Sequence, residues 1–168
     1  MRKTLFESLT HRPFTEKLPA QDPELAALAR HLDAAVQRRL GRSLAIRVVD
    51  AGSCNACELE LNALSNPFYD LERFGLKIVA SPRHADVLLV TGPVTRNMEA
   101  ALRITFDAMP GPKWVLACGD CAACGGIFAG SPAVLGGAHE VVPVDRVIPG
   151  CPPAPVDLLR GLVSLMAE

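Results

Sequence analysis

Six cysteines give this sequence its chemistry, and they fall into three groups. The groups are Cys54-x2-Cys57, Cys118-x2-Cys121-x2-Cys124 and Cys151-Pro152-Pro153. Cysteines at such spacings bind metals or carry out redox reactions, whereas disulfides are rare in the reducing cytosol. Three disulfides would also suit a smaller, secreted domain better. The pattern therefore predicts a metal or redox site.

A single [4Fe–4S] cluster fits the three groups best. It needs four thiolates that converge from separate loops, and glycines beside them let backbone N–H groups approach the sulfurs. Glycines of this kind, which are also ordinary turn residues, stand at Gly52, Gly119, Gly125, Gly126 and Gly150. Spacing alone makes Cys54, Cys57 and Cys151 strong candidate ligands. The choice within 118–124 stays open, because Cys118 is also a candidate for the last buried residue of a strand.

Three other kinds of site compete with a cluster. A structural zinc site usually takes two close pairs about 15–20 residues apart, whereas here the gap is far longer and two cysteines are left over. A bacterial ferredoxin run, C-x2-C-x2-C-x3-C-P, would need a fourth cysteine after Cys124, and none follows at that distance. A thioredoxin-type pair at Cys54 and Cys57 would leave the other two groups unexplained.

The composition predicts one globular domain that binds no nucleic acid. The 168 residues are 49% hydrophobic, 21% charged and 5% aromatic, with a net charge of −1, so neither a basic surface nor a stacking platform is expected. Residues 1–20 are expected to be an N-terminal extension to a domain at 21–168. Their basic start lacks the apolar centre of a secretory signal, and no apolar run is long enough to span a membrane. A cytoplasmic chain is therefore predicted.

Short β-branched runs alternate with helical segments along the domain. The predicted strands lie at 45–50, 76–80, 86–92, 113–119 and, more weakly, 140–145. The predicted helices run from Pro23 to a stop at Gly41, over 57–65, over 96–108 and over the C-terminal tail. This alternation predicts an α/β fold with a parallel sheet. Ligands bind beyond the carboxyl ends of such strands, where Cys54 and Cys121 fall, so pattern and chemistry agree.

Several motifs together resemble one protein family. The segments ADVLLVTGPVTRNM, MPGPKWVLACGDCAACGG and VIPGCPP, within about residues 45–160, are similar to the iron–sulfur subunit shared by respiratory complex I and membrane-bound [NiFe]-hydrogenases. The resemblance implies a flavodoxin-like parallel sheet with helices on both faces. It also implies one [4Fe–4S] cluster in an electron-transfer chain, packed against a larger subunit.

The resemblance also selects the ligands, which are Cys54, Cys57, Cys121 and Cys151. Cys121 occupies the cysteine of the family pattern G-x-C-x-x-x-G-G, present here as GDCAACGG. Cys118 and Cys124 fall where the family usually has other residues, so they are the alternatives for that one ligand.

The opening motif separates two branches of the family. Complex I members have two adjacent cysteines there, whereas SCNACELE separates them by two residues, as hydrogenase-type members do. The resemblance therefore implies the small subunit of a group 4 hydrogenase such as formate hydrogenlyase, with an NADH:quinone oxidoreductase B-type subunit as the alternative. The implied partners are a large subunit with a nickel–iron or quinone site, a ferredoxin-like subunit and membrane-arm subunits, on the cytoplasmic face of the inner membrane. A zinc-stabilised binding module is the alternative of another class.

Three charged residues accompany these motifs. Glu58 and Glu60 follow Cys57, and Glu60 stands where complex I relatives also carry Glu. Proton movement near the cluster and a solvated carboxylate near a helix start are both consistent with this position. Arg103 also matches the family, and an interface ion pair is as strongly expected as a role nearer the cluster. No catalytic residue is predicted, since the scattered histidines form no recognisable triad.

Overall fold

The computed structural model describes residues 6, 7, 10 and 23–167. The predicted extension at 1–20 therefore lies largely outside the described residues, and its boundary with the domain stays a prediction. The elements follow in the order α1 (Pro23–Leu40), β1 (Leu44–Asp50), α2 (Ala56–Ala63), β2 (Leu76–Ile78), β3 (Val87–Thr91), β4 (Val94–Thr95), α3 (Glu99–Asp107), β5 (Trp114–Cys118), α4 (Gly119–Cys124), β6 (Val134–Gly136), β7 (Arg146–Ile148) and α5 (Pro155–Met166). The first helix ends as predicted, with Gly41 at a φ of 64° and its N–H bonded to Gln37.

Five parallel strands form the main sheet in the spatial order β2-β1-β3-β5-β7. Counted within this sheet alone, the order is 2-1-3-4-5, which is that of flavodoxin-like proteins. The chain reverses direction across the sheet between β1 and β3, and ligands of such folds bind beyond the carboxyl ends of the strands at this point. The predicted α/β fold class is therefore confirmed.

Helices cover both faces of the sheet. On one face, buried side chains of β1, β3 and β5 pack against α1, α2 and α5 in a cluster that includes Leu32, Leu61 and Leu162. On the other face, alternate side chains of the same strands pack against α3 and α4 around Leu102 and Ala122. Alternation along each strand produces this division, because successive side chains point to opposite faces. No helix of the described ranges is long and apolar enough to cross a membrane.

The weakest predicted strand, at 140–145, is wrong. Pro143 has no N–H to contribute to a strand ladder, and pairing with β5 begins only at Asp145. The N–H of Asp145 donates to the carbonyl oxygen of Val115 over 2.9 Å, while Asp145 Oδ2 accepts the N–H of Val115 over 2.7 Å. The strand follows as β7. The short antiparallel pair of β4 and β6 was also missing from the prediction, since two or three residues give no periodicity.

An ion pair fastens the amino ends of β1 and β3. Asp86 is 3% exposed and binds the guanidinium of Arg42 through both oxygens, at 2.8 and 2.5 Å. Its Oδ2 also accepts the N–H of Ala45 over 3.0 Å. The buried carboxylate therefore has partners on both oxygens, at the end of the sheet opposite the cysteines.

Candidate metal centre

All four predicted ligands lie at the carboxyl edge of the sheet. Cys54 is in the loop after β1, Cys57 is in the first turn of α2, Cys121 is in α4 directly after β5, and Cys151 is in the loop after β7. Cys54 and Cys151 are exposed, Cys121 is half-buried, and Cys57 is buried. Three strand ends therefore present thiols at one edge, as the parallel topology requires.

The thiols of Cys151, Cys54 and Cys57 lie within electrostatic reach of the Cys121 thiol. Burial, followed by the neighbouring thiols of Cys151, Cys54 and Cys57, raises the pKa of Cys121. The backbone of Ile127 has the opposite effect and lowers the pKa of the same thiol. The fold therefore places the four cysteines that the family pattern selects at one edge of the sheet, and their role as ligands stays a prediction.

The two remaining cysteines are placed differently. Cys118 is the last residue of β5 and is fully buried, as the sequence suggested. The Cys57 thiol donates to the carbonyl oxygen of Cys118 over 3.8 Å. The side chain of Cys118 lowers the pKa of Cys57, against the opposing effect of burial. The same contact, together with burial, raises the pKa of Cys118. Cys124 is exposed and donates to the carbonyl oxygen of Asp120 in its own helix, over 3.4 Å.

Two glycines make room beside the sulfurs. A Cβ on Gly119 would lie 2.9 Å from Cys57 Sγ and 3.1 Å from the carbonyl oxygen of Gly150. A Cβ on Gly126 would lie 2.8 Å from Cys121 Sγ. Both residues also have positive φ, 84° and 53°, which side chains rarely adopt. Close packing of bare backbone on two thiols fits a centre whose sulfurs are held by loops and approached by N–H groups.

A zinc ion and an iron–sulfur cluster require different distances between the thiolates that bind them. Among the described residues, no group of three or more His, Cys, Asp or Glu side chains could hold a single metal ion. Thiolates around one zinc ion stand about 3.8 Å apart, given tetrahedral Zn–S bonds of about 2.3 Å. A cubane keeps its thiolates further apart, because iron and sulfide atoms stand between them. The finding therefore lends no support to a zinc site and does not count against a cluster.

A family model shows where this arrangement belongs. The model described as NADH ubiquinone oxidoreductase, 20 Kd subunit, matches residues 54–165, which include all six cysteines. The chain belongs to this family. Its members are iron–sulfur proteins of oxidoreductase complexes, so the resemblance and the predicted class of protein are both confirmed.

Subunits of several oxidoreductase complexes are similar to the chain in sequence or in structure. The probable membrane-bound hydrogenase subunit mbhJ of Pyrococcus furiosus is 46% identical over 129 residues, which are 77% of each protein. Formate hydrogenlyase subunit 7 of Escherichia coli is 45% identical over 80% of this chain and 53% of that protein, so the chain spans about half of its length. The solved structure of the membrane-bound sulfane sulfur reductase, an archaeal respiratory membrane complex, contains a chain that is 34% identical, with a TM-score of 0.67 over 82% of this chain and 74% of that one.

The loop that carries Cys54 is held by residues that sequence reasoning missed. Asp50 Oδ1 accepts the N–H groups of Gly52 and Ser53 over 2.8 and 2.7 Å. Asp50 ends β1 two residues before Gly52, and an Asp and a Gly close together after a strand are a recognisable turn signal. These bonds fix the path of the chain from the strand to the first candidate ligand.

Glu58 is part of the same hydrogen-bond network. Its Oε1 accepts hydrogen bonds from Ser53 Oγ, over 2.7 Å, and from Thr91 Oγ1 at the end of β3. Its Oε2 is buried and has no partner in the described part of the chain. Glu58 therefore links the loops after β1 and β3 at the point where the sheet order reverses.

The two other charged residues named from the sequence make few contacts. Glu60 is half-buried on α2 and forms no hydrogen bond or ion pair within the described residues. Arg103 pairs with Glu99 one turn earlier on α3, at 3.6 Å, and both side chains are about half exposed. Such an exposed pair contributes little stability, and nothing in the structure brings it to the cysteines.

Proposed function

We propose that the chain is the electron-transfer iron–sulfur subunit of a complex I-related, membrane-associated oxidoreductase, and that it binds one [4Fe–4S] cluster. Its ligands in this proposal are Cys54, Cys57, Cys121 and Cys151. The observation that carries the proposal is that three strand ends place the four thiols at one edge of the sheet, three of them within electrostatic reach of Cys121. Four sulfurs from separate loops, with bare backbone beside two of them, suit the cluster chemistry of the family.

The residues of the chain have defined tasks in this proposal. A bound cluster of this type accepts and returns one electron at a time. The loops after β1, β5 and β7 hold the thiolates in place, and the backbone of Ile127 stabilises negative charge on the Cys121 sulfur. Cys54 and Cys151 are exposed, so the site lies at the surface, where a second redox centre can approach it.

Exposed apolar side chains beside the cysteines support a docking partner there. Leu59, two residues after Cys57, is 60% exposed. Ile127, whose backbone lowers the pKa of the Cys121 thiol, is 83% exposed, and Phe128 is 38% exposed. Apolar groups of this size around a redox site are typical of a protein interface. The large subunit, with its nickel–iron or quinone site, is the partner that we assign to this surface.

The branch and the location are further parts of the proposal. Two residues separate Cys54 from Cys57, as in hydrogenase-type members of the family, which favours a group 4 hydrogenase of the formate hydrogenlyase type. The alternative is a subunit that passes electrons to quinone. In either case a ferredoxin-like subunit and membrane-arm subunits complete the complex, and the chain sits on the cytoplasmic face. Nickel in the purified complex supports the first branch; quinone-dependent turnover without nickel supports the second.

Metal analysis of the complex tests the proposal. We expect the anaerobically purified complex to lose about four iron and four acid-labile sulfide per copy of this chain when any of the four ligands is changed to Ser. Cys124→Ser is the matched control, because it removes an exposed thiol from the same helix as Cys121 and is expected to keep the cluster. One zinc ion per chain with no sulfide would refute the proposal.

A further inference from the structure

The loop that carries Cys54 lies against the segment that follows β3. The N–H of Ala51 donates to the carbonyl oxygen of Thr91, and the N–H of Thr95 donates to the carbonyl oxygen of Ala51, both over 2.9 Å. Within the described residues, no backbone hydrogen bond continues from 52–55 to the segment after β3. The part of the loop nearest to Cys54 is therefore held to that segment by side chains.

Glu58 provides the connection. Its Oε1 accepts a hydrogen bond from Ser53 Oγ over 2.7 Å and another from the hydroxyl of Thr91, which ends β3 and is fully buried. Ser53 Oγ in turn accepts the N–H of Asn55 over 3.0 Å, so this one hydroxyl makes contacts on both sides of Cys54. The second oxygen of Glu58, Oε2, is buried and has no partner among the described residues, so the contacts to both hydroxyls depend on Oε1.

We infer that Glu58 is a positioning residue of the proposed site, which fixes Cys54 relative to Cys57 and thereby slows the loss of a cluster bound by them. The inference rests on the proposed function. Glu58 directly follows Cys57 in the first turn of α2. One carboxylate oxygen thus ties the helix of the second ligand to the loop of the first ligand and to the sheet. A ligand that is already held in place loses less conformational freedom when it binds, which favours the bound state.

Release of iron from the intact complex to an external chelator tests this role. The cluster is followed by the electron paramagnetic resonance signal that Cys151→Ser removes. Glu58→Ala removes the acceptor of both hydroxyls, and we expect the signal to decay about tenfold faster than in the wild type. Glu58→Gln keeps an oxygen acceptor and should restore a rate close to that of the wild type. If Gln decays as fast as Ala, the charge of Glu58 acts on the cluster instead of its hydrogen bonds, and the inference is overturned.

The two hydroxyl donors test whether the effect passes through Glu58. Ser53→Ala and Thr91→Val should each speed the decay about threefold in the wild type and have no further effect in Glu58→Ala. Thr95→Val is the matched control, because its hydroxyl donates to the carbonyl oxygen of Ala51 in the same loop, over 3.1 Å, without contacting Glu58. Its effect should be the same with and without Glu58→Ala. A full effect of Thr91→Val in the Glu58→Ala background would overturn the inference.

A third comparison leaves Glu58 in place and applies even if Glu58→Ala does not assemble. Ser53, Glu58 and Thr91 form a series of contacts, and such a series fails when either link is broken. The double variant Ser53→Ala with Thr91→Val should therefore speed the decay by less than the product of the two single effects. A rate equal to the full product would contradict a connection through Glu58.

The outcomes separate this inference from the proposed function. A wild-type complex without a cluster would refute the proposed function itself. A normal cluster that decays at the same rate in the wild type, Glu58→Ala and Glu58→Gln would refute only the role of Glu58.

Discussion

Asp120 and Gly150 are joined by two hydrogen bonds that tie α4 to the Cys151 loop. The N–H of Asp120 donates to the carbonyl oxygen of Gly150, and the N–H of Gly150 donates to Asp120 Oδ1, both over 2.9 Å. Cys121 follows Asp120, and Cys151 follows Gly150. The pair therefore sets the distance between two of the proposed ligands.

Asp120→Ala should increase the rate at which the chain loses iron. The change leaves the N–H of Gly150 without its acceptor and frees the Cys151 loop, at a cost of about 1 kcal/mol. We expect iron to pass to an external chelator about fivefold faster than in the wild type. Asp120→Asn is the matched control, because it keeps an oxygen at Oδ1 and should lose iron at nearly the wild-type rate. Equal rates for Ala and the wild type would show that the pair does not hold the loop.

Gly126→Ala should lower cluster occupancy. The new Cβ would meet Cys121 Sγ at 2.8 Å in a backbone conformation with a φ of 53°. Gly130→Ala separates backbone strain from contact with a sulfur. Gly130 has a φ of 83°, but nothing lies within 4 Å of the position a Cβ would take. Both variants should lose about 1 kcal/mol of folding stability from backbone strain, and only Gly126→Ala should lose iron and sulfide. Full occupancy in Gly126→Ala would contradict the close packing on Cys121.

Ile127→Glu should weaken association with the large subunit. Burying an unpaired carboxylate in an apolar contact costs more than about 1.4 kcal/mol, so binding should fall at least about tenfold in a co-purification or titration assay. Ile104→Glu is the control, because Ile104 is 67% exposed on α3, which carries no proposed ligand. The iron content of the chain should be normal in both variants. Equal binding by the two variants would place the interface elsewhere.

Asp86→Ala should destabilise the fold without changing the site. It removes the partner of Arg42 and leaves the N–H of Ala45 unsatisfied in a buried position. We expect a loss of about 2–3 kcal/mol in the free energy of unfolding by urea, with normal iron content in the folded protein. Asp107→Ala, at an exposed position, should stay within about 0.5 kcal/mol of the wild type. A similarly small effect of Asp86→Ala would mean that the ion pair contributes little.

Much of the fold could be predicted from hydrophobic patterning. The apolar runs that form β3 and β5 are nearly continuous, as is typical of strands covered on both faces, and the helical spacing of Leu102 and Phe106 predicts α3. The strand at 140–145 was misplaced because its apolar residues pack as a loop before Asp145, where pairing with β5 begins. The edge strand β7 has three residues, which carry too little periodicity to locate it from the sequence, whereas β2 at the other edge was found within the predicted strand at 76–80.

Local sequence pattern alone does not decide which cysteine between 118 and 124 faces the other candidate ligands. Cys118, Cys121 and Cys124 have the same spacing, and the directions of their sulfurs depend on the change from strand to helix at Gly119. Cys118 points into the core as part of a strand, Cys121 faces the other thiols from the first turn of α4, and Cys124 bonds back to that helix. Asp120 could not be recognised as a partner of Gly150, because that contact requires β7 to lie beside β5.

The sequence by itself determined the α/β alternation, the family and the three cysteine groups, because these are properties of residue order and local spacing. Only the tertiary structure decided that Cys118 faces Cys57, that Asp120 holds Gly150 and that Glu58 joins Thr91. Each of these contacts joins residues 30 or more positions apart, and such neighbours are created by the order of strands in the sheet rather than by any pattern along the chain.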